Sequence, residues 1–170
     1  MAQLDKLFSP LKIKNVTIKN RFLRSPMESA LGALDGGVTE DHIKMYTTCA
    51  KGGCGLLITE GIGVHPKGRF MDTMITAYDD SCIPGFLRLT DSCKAHGDGV
   101  SIWAQLHCGG AANWGYSYGQ SDNAIDLNAF NEDIIWDIIE GYGQAALRCK
   151  KGGFEGVEIH GAHGYLVAQF

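Results

Sequence analysis

The chain has only 4 prolines in 170 residues, no C-x-x-C pair among its 6 cysteines, no G-x-G-x-x-G, and no excess of positive charge. Each shortage excludes something. Few prolines beside 23 glycines favour regular elements joined by tight turns over a disordered chain. A formal charge of −4 provides no basic stripe, which argues against nucleic acid as a partner. No stretch approaches the ~20 consecutive apolar residues that a membrane span needs, so no membrane partner is expected. The opening Met1-Ala2-Gln3-Leu4-Asp5-Lys6 lacks the apolar core of a secretion signal. Cys49, Cys54, Cys82, Cys93, Cys108 and Cys149 therefore read as reduced, mostly buried thiols of a cytoplasmic protein, not as a disulfide framework.

What the chain does have is a repeating strand–helix order. Lys12 to Lys19 alternates polar and apolar residues around Asn15, the pattern of a small hairpin. Arg21 to Ser25 is a short strand halted by Pro26. Thr39 can cap a helix whose Ile43, Tyr46, Thr47 and Ala50 share one face, with Gly52-Gly53 closing it. Gly55 to Thr59 is an apolar run of strand length. Pro84 opens a helix carrying Phe86, Leu89, Thr90 and Cys93 at helical spacing, stopped by Gly97. Val100 to Leu106 is the next strand, and Gly109 to Asn128 a long glycine-rich and polar loop. Ile134, Ile138, Tyr142, Ala145 and Cys149 form a stripe widened by Ile135, Ile139 and Ala146; Gly152-Gly153 ends that helix. Gly156 to His160 is the fourth strand.

Strands alternating with helices imply a parallel sheet covered by helices. A doubly wound open sheet and the beginning of an eight-stranded barrel both fit, although the missing glycine fingerprint weakens the dinucleotide-binding form of the first. In either architecture the residues at the strands' C-terminal ends build the site. Pro26 to Glu28, Glu60-Gly61, Gln105 to Cys108 and His160 to Tyr165 should therefore share one rim.

The segment His160-Gly161-Ala162-His163-Gly164-Tyr165 is the most informative part of that rim. Two imidazoles and a phenol, interleaved with small residues, can donate two hydrogen bonds to one oxygen and hold a proton nearby. That suits a carbonyl oxygen gaining negative charge. Taken singly, His160 would read as a polar residue closing a strand and Tyr165 as helix packing; the cluster in this place favours function. Glu158, His160 and His163 could instead offer zinc ligands, but the spacing lacks the helical i,i+4 histidine pair and no further ligand set accompanies it. No metal is expected.

The run Gly153-Phe154-Glu155-Gly156-Val157-Glu158-Ile159-His160-Gly161-Ala162-His163-Gly164-Tyr165-Leu166-Val167-Ala168-Gln169-Phe170 closely resembles the fourth-strand signature of Old Yellow Enzyme-like NADH:flavin oxidoreductases. Leu7-Phe8-Ser9-Pro10-Leu11, Asn20-Arg21-Phe22 and Ser25-Pro26-Met27 are similar to that family's opening. Thr59-Glu60-Gly61 with Pro66-Lys67-Gly68-Arg69 resembles its second strand and loop, and Gln105-Leu106-His107 its third strand. The likeness runs in the family's order from about residue 7 to the end.

The resemblance implies the first half of a (β/α)8 TIM barrel: four parallel strands with flanking helices and an N-terminal hairpin. Residues 1–170 would then form a partial FMN-binding barrel domain. It also implies FMN, reduced by NADH or NADPH, and transfer of hydride to the activated C=C bond of a small α,β-unsaturated, enone-like substrate. Pro26, Met27 and Glu28 would lie along the flavin ring, Gly61 would leave room for its edge, and Gln105 would bond its pyrimidine end. His160 and His163 would bind the substrate oxygen, with His160 also beside the flavin, and Tyr165 would supply the proton.

Three departures from the family's pattern follow. Glu28 stands where a small polar residue or cysteine is usual. His107-Cys108-Gly109-Gly110-Ala111 replaces the usual third-strand ending and lacks its arginine, leaving Cys108 as a reactive thiol or, preferably, a passive rim residue. The strands that carry the family's phosphate site and later arginine are not represented, so weak FMN affinity, or none, is expected of this polypeptide alone. A partial chain is the simplest reading. A half that pairs with a copy of itself or with a complementary half-barrel, or a catalytically silent binding subunit, are the alternatives.

Overall fold

A central sheet runs strictly in chain order, each strand parallel to the one before it. The computed structural model describes residues 4–110 and 131–170. A single turn of helix, α1 (Asp5–Phe8), precedes an antiparallel hairpin of β1 (Leu11–Ile13) and β2 (Val16–Ile18). The sheet follows as β3 (Leu23–Arg24), β4 (Leu56–Gly63), β5 (Ser101–His107) and β6 (Gly156–Ile159), in the order β3-β4-β5-β6. Helices α2 (Glu40–Lys51), α3 (Ile83–His96) and α4 (Glu132–Lys151) connect them, and α5 (Leu166–Gln169) comes after β6. The expected loop from Gly109 to Asn128 lies, beyond Gly110, outside the described residues.

Local chemistry sets the helix ends. The Thr39 side chain accepts the His42 N–H at 3.3 Å, and Asn131 accepts the Ile134 N–H at 2.9 Å, each satisfying a donor that has no partner within its helix. Past the C-termini of α2 and α4, Gly53 and Gly153 sit at φ +91° and +85°, where a side chain would be strained.

The two faces of the sheet are covered differently. One packs Leu57, Ile62, Ile102, Ala104 and Leu106 against Tyr46, Phe86, Leu89, Ile138 and Cys149 of the helices. The other presents Leu56, Ile58 and Trp103 to Ile18 and the rest of the hairpin, which closes the end of the sheet where the strands start. The opposite end of that face has no such cover among the described residues. A site can form there.

Two expectations need correction. Glu60 and Gly61 lie inside β4, which is longer than the apolar run implied, instead of after its end. Ile58 pairs with Trp103 and Gly61 with Gln105, so an extra residue is accommodated between them as a bulge. Ile139, placed in the buried stripe of α4, is 49% exposed. It borders an apolar groove with Ile135, Tyr142 and Phe170.

Candidate active site at the C-terminal end of the sheet

The uncovered end of the inner face holds a cavity of about 660 Å³. Its walls include Pro26, Met27 and Glu28 after β3, Gln105 on β5, and Glu158, His160, His163 and Tyr165 on or just after β6. The structure thus brings together Pro26 to Glu28, Gln105, His160, His163 and Tyr165, whereas Glu60, Gly61, His107 and Cys108, expected on the same rim, are not among the cavity's walls. A Cβ on Gly61 would stand 2.8 Å from Glu28 Oε1 and 3.1 Å from His107 Cβ. The glycine is therefore already required by the protein's own packing.

The bulge in β4 explains the layout. It turns Gly61 to the position opposite Gln105 and leaves Glu60 fully buried. Glu60 accepts His42 Nε2 at 2.8 Å and the Ser29 N–H at 2.9 Å, while its own N–H donates to the Tyr46 hydroxyl at 2.7 Å. These bonds tie the segment after β3 to α2. Sequence reading missed His42, whose polar character reads as surface. The available signal was its spacing, four residues before the buried Tyr46 and three after the capping Thr39.

Met27 is 58% exposed and presents an apolar surface to the cavity. Gln105 is buried, and its amide donates to Glu158 Oε1 at 2.7 Å. A buried amide needs such a partner. Glu158 is thereby engaged, and the described residues hold no group of three metal-ligating side chains in reach of one ion. All six cysteines are free thiols. Cys108, expected on the rim, is instead buried in the helix-facing core, and that burial pushes its pKa up to about 11.

His163 adopts a left-handed backbone at φ +58°, uncommon for a residue with a side chain. That turn brings its Nδ1 to 3.4 Å from His160 Nε2, with the rings perpendicular. His160 Nδ1 accepts the Ala162 N–H at 3.3 Å. A neutral His160 must then carry its proton on Nε2, from which it donates to His163 Nδ1, and His163 keeps its proton on Nε2. Both imidazoles can meet one oxygen only when this long mutual contact opens. The His160 pKa lies below the ordinary histidine value, first because burial strips water from the ring and then because of His163, with Glu158 pulling the other way. Near neutral pH His160 is a hydrogen-bond donor, not a cation.

Tyr165 stands over this pair, its ring 5.0 Å from that of His160 and 4.4 Å, edge to face, from that of His107. His107 is 1% exposed, and neither ring nitrogen has a partner. Burial, and then His160, lower its pKa to about 3, which keeps it neutral.

The match to known proteins follows the same order of strands. The family model described as "NADH:flavin oxidoreductase / NADH oxidase family" matches residues 6–170, and the chain belongs to that family. It is 36% identical to an NADPH dehydrogenase of Bacillus subtilis over 97% of this chain and 51% of the relative. It is 35% identical to an NADPH dehydrogenase of Listeria welshimeri over 98% of this chain and 51% of the relative. An Old Yellow Enzyme homologue from Zymomonas mobilis superposes with a TM-score of 0.80 at 25% identity, over 95% of this chain and 50% of that one. The chain spans about half the length of the curated relatives it matches, and its four parallel strands are the first half of the (β/α)8 barrel.

The walls of the cavity suit the ring system of a flavin. Pro26 and Met27 offer an apolar face, while Gln105 and the imidazoles offer polar edges. Among the described residues no Lys or Arg lines the cavity, which therefore offers no counter-charge for a phosphate.

Proposed function

We propose that residues 1–170 form the part of an FMN-dependent NAD(P)H oxidoreductase that binds the flavin ring and the substrate, and that the reaction is reduction of an activated C=C bond. The observation that carries this reading is the convergence of His160, His163 and Tyr165 on one cavity with Pro26, Met27 and Gln105.

Bound FMN would supply the hydride, replenished from NADH or NADPH. Pro26 and Met27 would support the ring and Gln105 its polar edge. The His160 and His163 N–H groups would hold the carbonyl oxygen of an enone-like substrate and stabilise the negative charge that it gains. As a neutral donor, His160 does so without surrendering a proton. Tyr165, a phenol in contact with His160, would then deliver the proton to the α-carbon. Gly61 acts one layer back, admitting Glu28 and His107.

No helix among the described residues is long and apolar enough to cross a membrane. A cytoplasmic location goes with the free thiols. A second reading, a silent half-barrel that binds a partner, draws on the apolar groove bordered by Ile135, Ile139, Tyr142 and Phe170. Titration of the chain with FMN separates the two. Saturable, weak quenching of flavin fluorescence, lost in Gln105→Leu, supports the enzyme reading. Quenching that persists unchanged in Gln105→Leu overturns it.

A further inference from the structure

Glu28 takes no part in the chemistry above, yet it lines the same cavity as His160 and His163. Its Oε1 is fixed by the Gly61 N–H at 2.9 Å, so the carboxyl is held in place by the backbone of β4. We propose that Glu28 is a specificity-determining residue of this cavity, admitting neutral hydrogen-bond acceptors throughout and excluding anions once it is ionised. This inference rests on the reading of the cavity as a ligand site.

The surroundings support it. Loss of water around the carboxyl, followed by the charge of Glu60, raises Glu28 to about 7, against a smaller opposite pull from the Gly61 N–H. Glu60 approaches it from β4 and is itself bonded to His42 on α2, where Tyr46 also lies. Arg24 on β3 stacks over the Tyr46 ring, 4.7 Å from its centroid. From β5 comes His107, which shares the space above Gly61 with Glu28 and stays neutral. From the β6 side come Glu158, which is held by Gln105, and the imidazole pair with Tyr165. None of these provides Glu28 with a salt bridge. Its charge therefore falls on whatever occupies the cavity.

An anion that binds only when Glu28 is protonated loses affinity in step with the protonated fraction. With a value of about 7, that fraction falls about tenfold between pH 6 and pH 8. Benzamide and benzoate make a matched pair of probes, one neutral and one anionic over this whole range. Each would be titrated into the chain at the two pH values and followed by ligand-observed NMR. Benzoate is expected to weaken about tenfold from pH 6 to pH 8 while benzamide holds constant. In Glu28→Gln, which keeps an acceptor for the Gly61 N–H, the benzoate dependence shrinks to what the histidines alone impose. Glu28→Ser, with a smaller side chain, should behave alike if the amide variant folds poorly. An undiminished benzoate dependence in both variants overturns the proposal, as does failure of either probe to bind. His160→Ala tests the underlying reading separately: benzamide binding that survives it sinks the carbonyl site and leaves the role of Glu28 untouched.

Discussion

His42 and His160 are both histidines beside a polar partner, in opposite surroundings. His42 lies between α2 and β4 with its side chain and that of Glu60 fully buried, and the carboxylate is further bonded by the Ser29 N–H. His160 stands at the open end of the same sheet, its partner His163 exposed and only 3.4 Å away in a long contact. The first pair fastens the segment after β3 to the scaffold, because leaving either group alone in a dry interior is expensive. The second pair is loosely held and can exchange its mutual contact for one to a ligand. Burial decides which histidine is structural and which is available.

The strongest way to break this contrast is His42→Ala. Removing one member of a fully buried pair should destabilise the fold by about 3–5 kcal/mol, read from urea unfolding. A loss no larger than that of an exposed substitution would show that the buried pair fastens nothing.

His107 sharpens the comparison through pH. Its folded value of about 3 lies below the ordinary histidine value of 6.5, so between these limits the unfolded chain binds more protons than the folded one. Its contribution is fully present above pH 6.5 and is lost as pH falls toward 3. From pH 6.5 to pH 5 that loss is about 1.6 kcal/mol. Glu28 works in the opposite sense: its raised value makes the folded chain the better proton binder between 4.5 and about 7, so its contribution declines as pH rises through that range. Between pH 6.5 and pH 5 the two contributions nearly cancel, so denaturation midpoints at these two pH values should move apart in His107→Phe, the one at pH 5 becoming the higher. Unchanged separation would mean that the His107 ring is not dry.

The smallest effect on stability belongs to the open pair. His163→Asn keeps a residue that tolerates the left-handed backbone and should change unfolding free energy by no more than about 0.5 kcal/mol. The His160 pKa should rise, since His163 is one cause of its depression. An NMR titration that leaves His160 unmoved would show that the two rings do not sense each other.

Much of this was legible beforehand. The capping Thr39, the stripes of α3 and α4 and the paired glycines that end α2 and α4 follow from local periodicity and backbone chemistry. So did the placing of Pro26 to Glu28, Gln105 and the histidine segment at one end of a parallel sheet. The bulge between Ile58 and Gly61 was not legible, because a continuous apolar strand carries no mark of an extra residue. Nor was the burial of His42, since a polar residue on a helix reads as surface until a carboxylate is found opposite it.

The amino-acid order by itself determined the alternation of strands and helices, and with it the end of the sheet on which polar residues gather, because hydrophobic period and turn chemistry act over a few neighbours. Tertiary structure alone decided what those polar residues do. Whether a carboxyl is held against a backbone N–H, as Glu28 is, or sealed against an imidazole, as Glu60 is, depends on partners tens of residues away and on how much water the fold leaves around them.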